Sequence, residues 1–364
     1  MVERIHHTVK TVCLLRSVSI NREMEMGDEE LLHAEVRYFN SRLAEVIEQR
    51  TRNGNAGKIL SDALNYIRDT VGKRLRPIIC MLATEAVGGS REKALSTAIA
   101  IELLHNATLV HDDIIDENCI RRRNPSNPAR FGAKNAILMG DLLLGFACEM
   151  LAECGEPEVV RVVMNALSDI ALGEYQEFTL RLRDVREVTE RAYMEVAELK
   201  TASAFMASAE AGAMLGCGGE VELENLRNYG KNLGVAFQIQ DDILDICGDP
   251  AKTGKPVGLD VKNRERTILV IHALNHSSDG DRAYIEDVMS GAVEVSNSDI
   301  ERIREIFINS HSIKYAIAVS KGLILDAKSS LESLEDTEAR YKLQLIADLV
   351  AMRVEEQADE GYLR

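Results

Sequence analysis

The chain has 364 residues, of which 46% are apolar and 28% are charged, and its formal net charge is −16. This length and apolar content are enough for one large domain with a sizeable core. The strong negative charge argues against nucleic acid as the main partner, because binding to a phosphate backbone requires a basic face. A small anionic ligand remains compatible with it, since such a ligand needs only a local basic cluster.

Seven cysteines are present, an odd number with no C-x-x-C pair. We therefore expect free thiols in a reducing cytoplasm rather than disulfides or a zinc site. No apolar run reaches the roughly 20 residues that span a bilayer, so no transmembrane segment is expected. Residues 1–25 are weakly basic, and we interpret them as a disordered or non-native extension before a single domain over residues 26–364.

Apolar residues recur at helical spacing along most of the chain. Residues 28–70 are typical of an amphipathic helix, and a basic turn at 72–77 then leads into an apolar helix with Pro77 in its first turn. Further helical patterns cover 94–117, 136–152, 159–181, 187–215, 223–246 and the segment from 267 to the end. Basic loops at 121–128 and 252–262 and polar turns near 276–281 and 295–299 separate or interrupt them. No run of alternating β-branched residues stands out. The sequence therefore predicts an all-α fold, a single bundle of about ten or more helices.

Two near-copies of the pattern D-D-I-x-D occur at 112–116 and 241–245, each at the end of an apolar helix. Residues i and i+4 share one face of a helix, which pairs Asp112 with Asp116 and Asp241 with Asp245. Like charges at this spacing, near the negative end of the helix dipole, destabilise a helix unless a cation is bound. Paired carboxylates together with substrate phosphates are a usual way to hold Mg²⁺. A solvated acidic face would explain one such motif, but it explains two poorly.

Three basic clusters accompany these motifs: Lys73, Arg74 and Arg76; Arg121, Arg122 and Arg123; and Lys252, Lys255 and Lys262. Arginine suits bidentate contacts to phosphate, and lysine supplies a point charge. Surface solubilisation would explain any one cluster, but three of them beside acidic motifs favour anion sites. Metal-holding acids and phosphate-holding bases indicate ionisation of a diphosphate or transfer of a phosphoryl group. The absence of a Walker loop and of G-x-G-x-x-G argues against a nucleotide kinase.

Over about residues 30–355 the chain resembles the trans-isoprenyl (polyprenyl) diphosphate synthase family. Five segments carry the resemblance: GKRLRP (72–77), HNATLVHDDIIDENCIRR (105–122), ELKTA (198–202), FQIQDDILD (237–245) and GKPVGLD (254–260). The resemblance implies the isoprenoid synthase fold, an all-α bundle around a central cavity, in a Mg²⁺-dependent homodimer. It implies a prenyltransferase that condenses isopentenyl diphosphate head-to-tail with an allylic diphosphate.

The resemblance also assigns roles to individual residues at the matching positions. The metal ligands would be Asp112, Asp116, Asp241 and Asp245, holding about three Mg²⁺ ions with substrate bound. Isopentenyl diphosphate would contact Lys73, Arg76, His105 and Arg122. The allylic diphosphate would contact Arg121, Lys200, Thr201, Gln238 and Lys255. The residues assigned to catalysis are Asp112, Asp116, Asp241 and Lys200.

Helical periodicity independently supports part of this assignment. His105 shares the face of Asp112 and Asp116, and Gln238 shares the face of the second motif. A lone histidine is more often structural, but its place on the aspartate face favours a functional role for His105. His111 points elsewhere, and we interpret it as structural.

Three rival functions fit less of the sequence. An HD-type metal phosphohydrolase would use His111 and Asp112 but leaves the second motif unexplained. A non-catalytic subunit of a heteromeric synthase would be expected to have degraded aspartates. Terpene cyclases share the first motif but not the GKRLRP segment.

Product length is predicted from small residues. In the family, the residues five and four positions before the first motif often form the floor under the growing chain, and here they are Ala107 and Thr108. Small residues also follow the faces below Asp241 and Lys200, namely Gly230, Gly234, Ala204, Ser208, Ala211 and Gly212. Close helix packing would select the same residue types. We expect a deep cavity and a product longer than C20, with geranylgeranyl or farnesyl diphosphate as the alternative product.

Overall fold

The computed structural model describes residues 26–52, 58–69, 72–121, 124–253, 256–291 and 294–358. The expected extension at 1–25 and the candidate site residues Arg122 and Lys255 lie outside these ranges. Within them, strands are limited to Ile120–Arg121 (β1) and Asn124–Pro125 (β2), which pair antiparallel just after the first aspartate motif. The rest of the regular structure is helical, which confirms the all-α prediction.

The helices follow one another with short connections. They are α1 Met26–Arg52, α2 Lys58–Asp69, α3 Leu75–Ala86, α4 Arg91–Ile115, α5 Asn127–Phe131, α6 Ala133–Glu153, α7 Pro157–Leu182, α8 Glu190–Ala197, α9 Ser203–Leu215, α10 Glu220–Cys247, α11 Pro250–Thr253, α12 Leu259–Lys262, α13 Ile268–His276, α14 Asp279–Ser290, α15 Asn297–Asn309, α16 Ser312–Ser330 and α17 Glu338–Gln357. A 3₁₀ turn, Val185–Glu187, precedes α8, and a π-helical turn, Glu198–Ala202, joins α8 to α9.

Many of these helices begin at a hydroxyl side chain that accepts a hydrogen bond from a backbone N–H of the first turn. The capping residues are Ser126, Thr189, Thr267, Ser278, Ser296 and Thr337. Such a cap satisfies one of the N–H groups that the helix itself leaves unpaired. Local sequence therefore fixes where these helices start.

The helix boundaries differ from the sequence prediction in several places, among them the unpredicted breaks between Asn309 and Ser312 and between Ser330 and Glu338. The predicted helix over 28–70 is two helices, α1 and α2. The predicted helix over 187–215 is interrupted by the π-helical turn. The basic loop over 252–262 contains two single-turn helices, α11 and α12. Hydrophobic periodicity averages over these local changes, so it does not detect them.

The long helix α10 lies at the centre of the bundle and packs against α9, α16 and α17. On the other side of α9, α3 packs against α4 and α17, and α6 lies along α4. Tyr229 of α10 is fully buried, and its hydroxyl donates to the carbonyl oxygen of Leu343 in α17 at 2.8 Å. The second aspartate motif is therefore carried by a helix that packs against three others.

Two glycines of α10 allow it to approach α9 closely. A Cβ at Gly230 would collide with the backbone of Phe205, and one at Gly234 would collide with Ala202. These glycines were expected to line a deep cavity below Asp241. The structure corrects that interpretation, because the space beside them is filled by the neighbouring helix.

The basic turn before α3 contains a structural arginine. Arg74 was grouped with Lys73 and Arg76 as a candidate anion site, but its side chain is buried and ion-paired with Glu102. Its guanidinium also donates to Asn40 Oδ1 at 3.1 Å and to the carbonyl oxygen of Ile67 at 2.8 Å. These contacts hold the turn in place through Arg74, which lies between Lys73 and Arg76 in the chain.

One described helix, α6, is long and apolar enough to cross a membrane when judged by length and composition. Its mean hydropathy is 1.5 over its most apolar stretch, although charged residues such as Asp141 interrupt the apolar run. In that stretch 44% of the residues are buried within the protein. A single helix of this kind is weak evidence for a membrane span, since core helices have the same composition.

Candidate active site

A cleft of about 130 Å³ brings together residues from both halves of the chain. Asp116 from the end of α4, Lys200 from the π-helical turn and Gln238 and Asp242 from α10 all line it. The sequence predicted that these residues share a site, although they are far apart in the chain. The structure places them around one cavity, as that prediction requires.

Lys200 lies at the centre of the cleft. Its ammonium group is 2.7 Å from Glu174 Oε2 and 2.6 Å from Glu177 Oε2, both on α7. Burial opposes the charge of Lys200, but Glu177, Glu174 and Asp112 outweigh burial and raise its pKa well above the ordinary value. Lys200 is therefore a permanent cation within the cleft.

The backbone approach that places Lys200 depends on a glycine. A Cβ at Gly173 of α7 would collide with the backbone of Lys200. The π-helical turn Glu198–Ala202 adds one residue to the helical path at the same point, and such turns are frequent at functional sites. The G-E-x-x-E sequence at 173–177 and the ELKTA segment thus form one structural unit.

The first aspartate motif contains two carboxylates whose charge the protein alone does not neutralise. Burial raises the pKa of Asp112 to about 7, and Glu174 and Asp116 add to the shift although Lys200 and Arg121 oppose it. Burial likewise raises the pKa of Asp116, which lies 3.8 Å from Arg181. The middle aspartate is different, because Asp113 is buried in an ion pair with Arg121 at 2.7 Å.

The second motif is built into a hydrogen-bonded chain. Asp242 is buried and accepts hydrogen bonds from Tyr193 Oη at 2.6 Å and from Gln238 Nε2 at 2.9 Å. Gln238 Oε1 in turn accepts from Thr201 Oγ1 at 2.5 Å. The expected allylic-site residues Thr201 and Gln238 are therefore in contact, and Asp242 acts as their anchor.

The outer aspartates of the second motif face different partners. Asp241 forms an ion pair with Arg353 of α17. Asp245 accepts hydrogen bonds from the backbone N–H groups of Leu259 at 3.1 Å and Asp260 at 3.0 Å, which holds the start of α12. The metal-ligand role expected for Asp245 remains a prediction, and its observed contacts position the loop after the motif.

The residues expected at the second diphosphate lie near α3. Arg76 Nη1 is 3.2 Å from His105 Nε2, and the guanidinium lies over the ring of Phe205, 4.5 Å from its centroid. Part of the Lys73 side chain faces solvent, yet the dense surrounding protein and the cation of Arg353 lower its pKa to about 8. Arg76 and His105 are thus in contact, and Lys73 lies within electrostatic range of Arg353 and Asp241.

The expected chain-length residues have different surroundings. Ala107 is fully buried in the hydrophobic core. Thr108 is partly buried, and its hydroxyl donates to the carbonyl oxygen of His105 at 2.8 Å. His111 lies against α6, with Nε2 3.4 Å from the carbonyl oxygen of Ile137. The structural interpretation of His111 agrees with this contact, and the HD-type alternative loses its histidine.

Several site residues were not found from the sequence. Glu174 and Glu177 bind Lys200, Glu265 is 3.0 Å from Arg181, and Asp260 is half-buried beside the second motif. Burial raises the pKa of Glu265 to about 9, with Glu177 adding to the shift. The sequence signals for these acids were the i, i+3 spacing of Glu174 and Glu177 next to Gly173 and the place of Asp260 at the end of the GKPVGLD segment.

A divalent cation in the cleft would need coordinating atoms from substrate or water as well as from the protein. Among the described residues, no three His, Cys, Asp or Glu side chains converge closely enough to enclose a metal. Mg²⁺ is commonly held by one or two carboxylates plus substrate phosphates and water, so this arrangement fits it. Asp112, Asp116 and Asp241 supply hard oxygen donors, and burial raises the pKa of both Asp112 and Asp116.

Comparison with known proteins identifies the family. The polyprenyl synthetase family model matches residues 57–307. The chain belongs to the polyprenyl synthetase family. It is 35% identical to the short chain isoprenyl diphosphate synthase of Methanothermobacter thermautotrophicus over 315 residues, which cover 85% of this chain and 96% of that protein.

Solved structures agree with this assignment. The decaprenyl diphosphate synthase of Rhodobacter capsulatus superposes with a TM-score of 0.81 at 29% identity, over 89% of this chain and 99% of that one. The geranylgeranyl pyrophosphate synthetase of Pyrococcus horikoshii superposes with a TM-score of 0.78 at 32% identity, over 89% and 98%. This polyprenyl synthetase is therefore a prenyltransferase with the isoprenoid synthase fold, and the phosphohydrolase alternative is wrong.

The raised pKa of Asp112 predicts a pH-dependent stability in the metal-free protein. The folded state binds this proton up to about pH 7, whereas the unfolded chain releases it near pH 4. The free energy of unfolding should therefore fall as pH rises from about 4 to 7. Asp112→Asn should flatten this dependence, measured by urea unfolding in EDTA. The matched variant Asp279→Asn, at a fully exposed carboxylate, should keep the wild-type slope; equal slopes for all three proteins would contradict the prediction.

Proposed function

We propose that this polyprenyl synthetase condenses isopentenyl diphosphate with an allylic diphosphate in a Mg²⁺-dependent, head-to-tail reaction. The observation that carries the proposal is the convergence of Lys200, Gln238 and Asp116 on one acid-rich cleft. An acidic cleft with one permanent cation suits a metal-bound diphosphate, because the metal offsets the acids and the lysine contacts the remaining phosphate oxygens. No nucleophilic serine or cysteine is needed.

The allylic diphosphate is assigned to this cleft. Asp112, Asp116 and Asp241 would hold Mg²⁺, which when bound neutralises the charge that develops on the leaving diphosphate. Lys200 would donate to the same diphosphate from its position between α7 and α10, with Thr201, Gln238 and Arg121 beside it. These donors are fixed before reaction, so they can stabilise the departing charge without reorganisation. The assigned residue Lys255 and the fit of Asp245 as a ligand rest on the resemblance alone.

Isopentenyl diphosphate is assigned to the basic group formed by Lys73, Arg76 and His105, with Arg122 added from the resemblance. As the allylic C–O bond breaks, its electron pair leaves with the diphosphate. The double bond of isopentenyl diphosphate then attacks the allylic carbon, and a proton is lost from the neighbouring carbon to the departing diphosphate. The residues of this chain hold and orient the two diphosphates, and they supply no covalent intermediate.

We further propose that the enzyme is a cytoplasmic homodimer. Large apolar side chains are exposed on two adjacent helices, Ile137, Leu138 and Leu142 on α6 and Leu172, Tyr175, Phe178 and Leu182 on α7. Exposed apolar patches of this kind mark interaction surfaces, and a second copy of the chain is the occupant that the family resemblance implies. The free cysteines among the described residues fit a reducing compartment.

Metal dependence tests the proposed reaction. Asp112→Ala and Asp241→Ala should each lower turnover of isopentenyl and allylic diphosphates by at least about a hundredfold, because each removes a metal ligand. Circular dichroism should show an unchanged helix content. Asp279→Ala, at an exposed acid outside the cleft, should keep wild-type activity. Near-normal turnover in EDTA or in either cleft variant would contradict the proposal.

Product length is the finer part of the proposal, a chain longer than C20. The relatives include short chain, geranylgeranyl and decaprenyl synthases, so their names do not determine the product length of this enzyme. The proposed length therefore rests on the small side chains at 107 and 108. Thr108→Phe should shorten the product and leave the first condensation intact, as measured by chromatography of the dephosphorylated products. Thr108→Val, which keeps the volume, should keep the wild-type length. Ala107→Tyr is a weaker test, because Ala107 is fully buried and overpacking costs stability. A wild-type product of C15 or C20 would refute the proposal.

The dimer has its own test. Leu138→Glu places a charge in the apolar surface of α6, and it should convert a dimer into a monomer in sedimentation analysis. Val221→Glu is a matched control, because Val221 is 69% exposed but lies at the start of α10. A monomeric wild type, or equal behaviour of the two variants, would refute the proposed interface.

A further inference from the structure

The C-terminal helix is attached to both ends of the second aspartate motif. Arg353 of α17 forms an ion pair with Asp241, the first aspartate of the motif. Beyond the motif, the N–H of Asp249 donates to the carbonyl oxygen of Gln357 at 3.0 Å, and Gly248 forms a β-bridge with Ala358. The last two turns of α17 therefore connect a candidate metal ligand to the loop that follows its helix.

The guanidinium of Arg353 is held in a defined place. It lies over the ring of Phe237, with 4.2 Å between the guanidinium carbon and the ring centroid, and its side chain is 13% exposed. Nε and Nη1 of Arg353 are buried and have no hydrogen-bond partner among the described residues. Burial of an arginine with unsatisfied donors is costly, so stability alone does not account for this residue.

The position of Arg353 conflicts with a bound metal. Asp241 is 38% exposed, and a divalent cation on its carboxylate would bring that cation and the guanidinium, two like charges, within a few ångströms of each other. Their repulsion is not offset unless the guanidinium moves away. A cation–π contact such as that with Phe237 is worth only about 0.5–2 kcal/mol, so it does not hold Arg353 against this repulsion.

We propose that Arg353 is the resident counter-cation of Asp241 in the metal-free enzyme and that a divalent cation arriving at Asp241 displaces it. The displacement loosens the last turns of α17 from Gly248 and Asp249, so the C-terminal helix responds to metal loading. This inference rests on the proposed function of Asp241 as a metal ligand. A purely structural Arg353 would anchor α17 equally in both states.

The test is a calorimetric titration of Mn²⁺ into EDTA-treated, dialysed full-length enzyme with inorganic pyrophosphate present. Arg353→Met removes the competing cation, and it should tighten Mn²⁺ binding roughly three- to tenfold, the range expected for loss of a partly exposed ion pair. Arg353→Lys keeps the charge and should bind as the wild type does. Lys321→Met is the matched control, because it breaks the 3.0 Å ion pair of Lys321 with Glu355 on α17 without touching the motif.

Hydrogen exchange supplies a second readout that is independent of affinity. In the wild type, addition of Mn²⁺ and pyrophosphate should speed exchange at the amides of Asp249 and Ala358, and in Arg353→Met these amides should already exchange fast without metal. Arg353→Gln, with a shorter polar side chain, repeats both measurements if Arg353→Met folds poorly.

The outcomes separate the inference from the proposed function. Unchanged or weaker Mn²⁺ binding in Arg353→Met and Arg353→Gln, or exchange at Asp249 that metal does not alter, overturns the inference alone, provided that Asp241→Asn weakens Mn²⁺ binding. If Asp241→Asn binds Mn²⁺ as the wild type does, both the inference and the metal role of Asp241 are overturned.

Discussion

The contact between Lys200 and the two glutamates of α7 is the interaction on which the site depends. It fixes a cation at the point where α7, the π-helical turn and α10 meet. Without it, the aspartates of α4 and the acids of α7 would face one another across a partly buried cleft, where like charges repel more strongly than in water. Gly173 allows the backbones to come close enough for the pair to form. Asp116, Gln238 and Asp242 line the same cleft as this fixed charge.

Much of the site could be predicted from sequence because its information is local. The spacing of Asp112 and Asp116 places two carboxylates on one helix face whatever the surrounding fold, and the same holds for Asp241 and Asp245. The helices themselves follow from apolar periodicity and capping residues. What could not be predicted depends on contacts between distant segments. Nothing in the sequence around Glu265 or Arg353 indicates that tertiary packing brings each beside an aspartate-motif helix.

The small residues of α9 and α10 show a second limit. A glycine that lines a cavity and a glycine that admits a neighbouring helix give the same sequence pattern. Gly230 and Gly234 prove to be of the second kind, since a side chain on either would strike α9 or the π-helical turn. Thr108 differs because it is only partly buried and shares the face of Asp112. A small residue therefore does not by itself indicate a cavity. Whether the space beyond its Cβ position is empty or filled by another helix decides between the two roles.

In the metal-free enzyme, internal cations balance the aspartates in two different ways. Asp113 is 1% exposed and paired with Arg121, so removing Arg121 would leave a buried charge unpaired. Arg353 instead contacts Asp241, which is 38% exposed, so ligands have access to that carboxylate. A metal-bound diphosphate brings both cations and anions, and it can therefore exchange partners with this pair without a large change in net charge, while Lys200 stays between its two glutamates. On this proposal, substrate binding exchanges the ion pair between Arg353 and Asp241 for a bound metal. The buried pair of Asp113 with Arg121 and the pair of Lys200 with its glutamates hold the surrounding site in place.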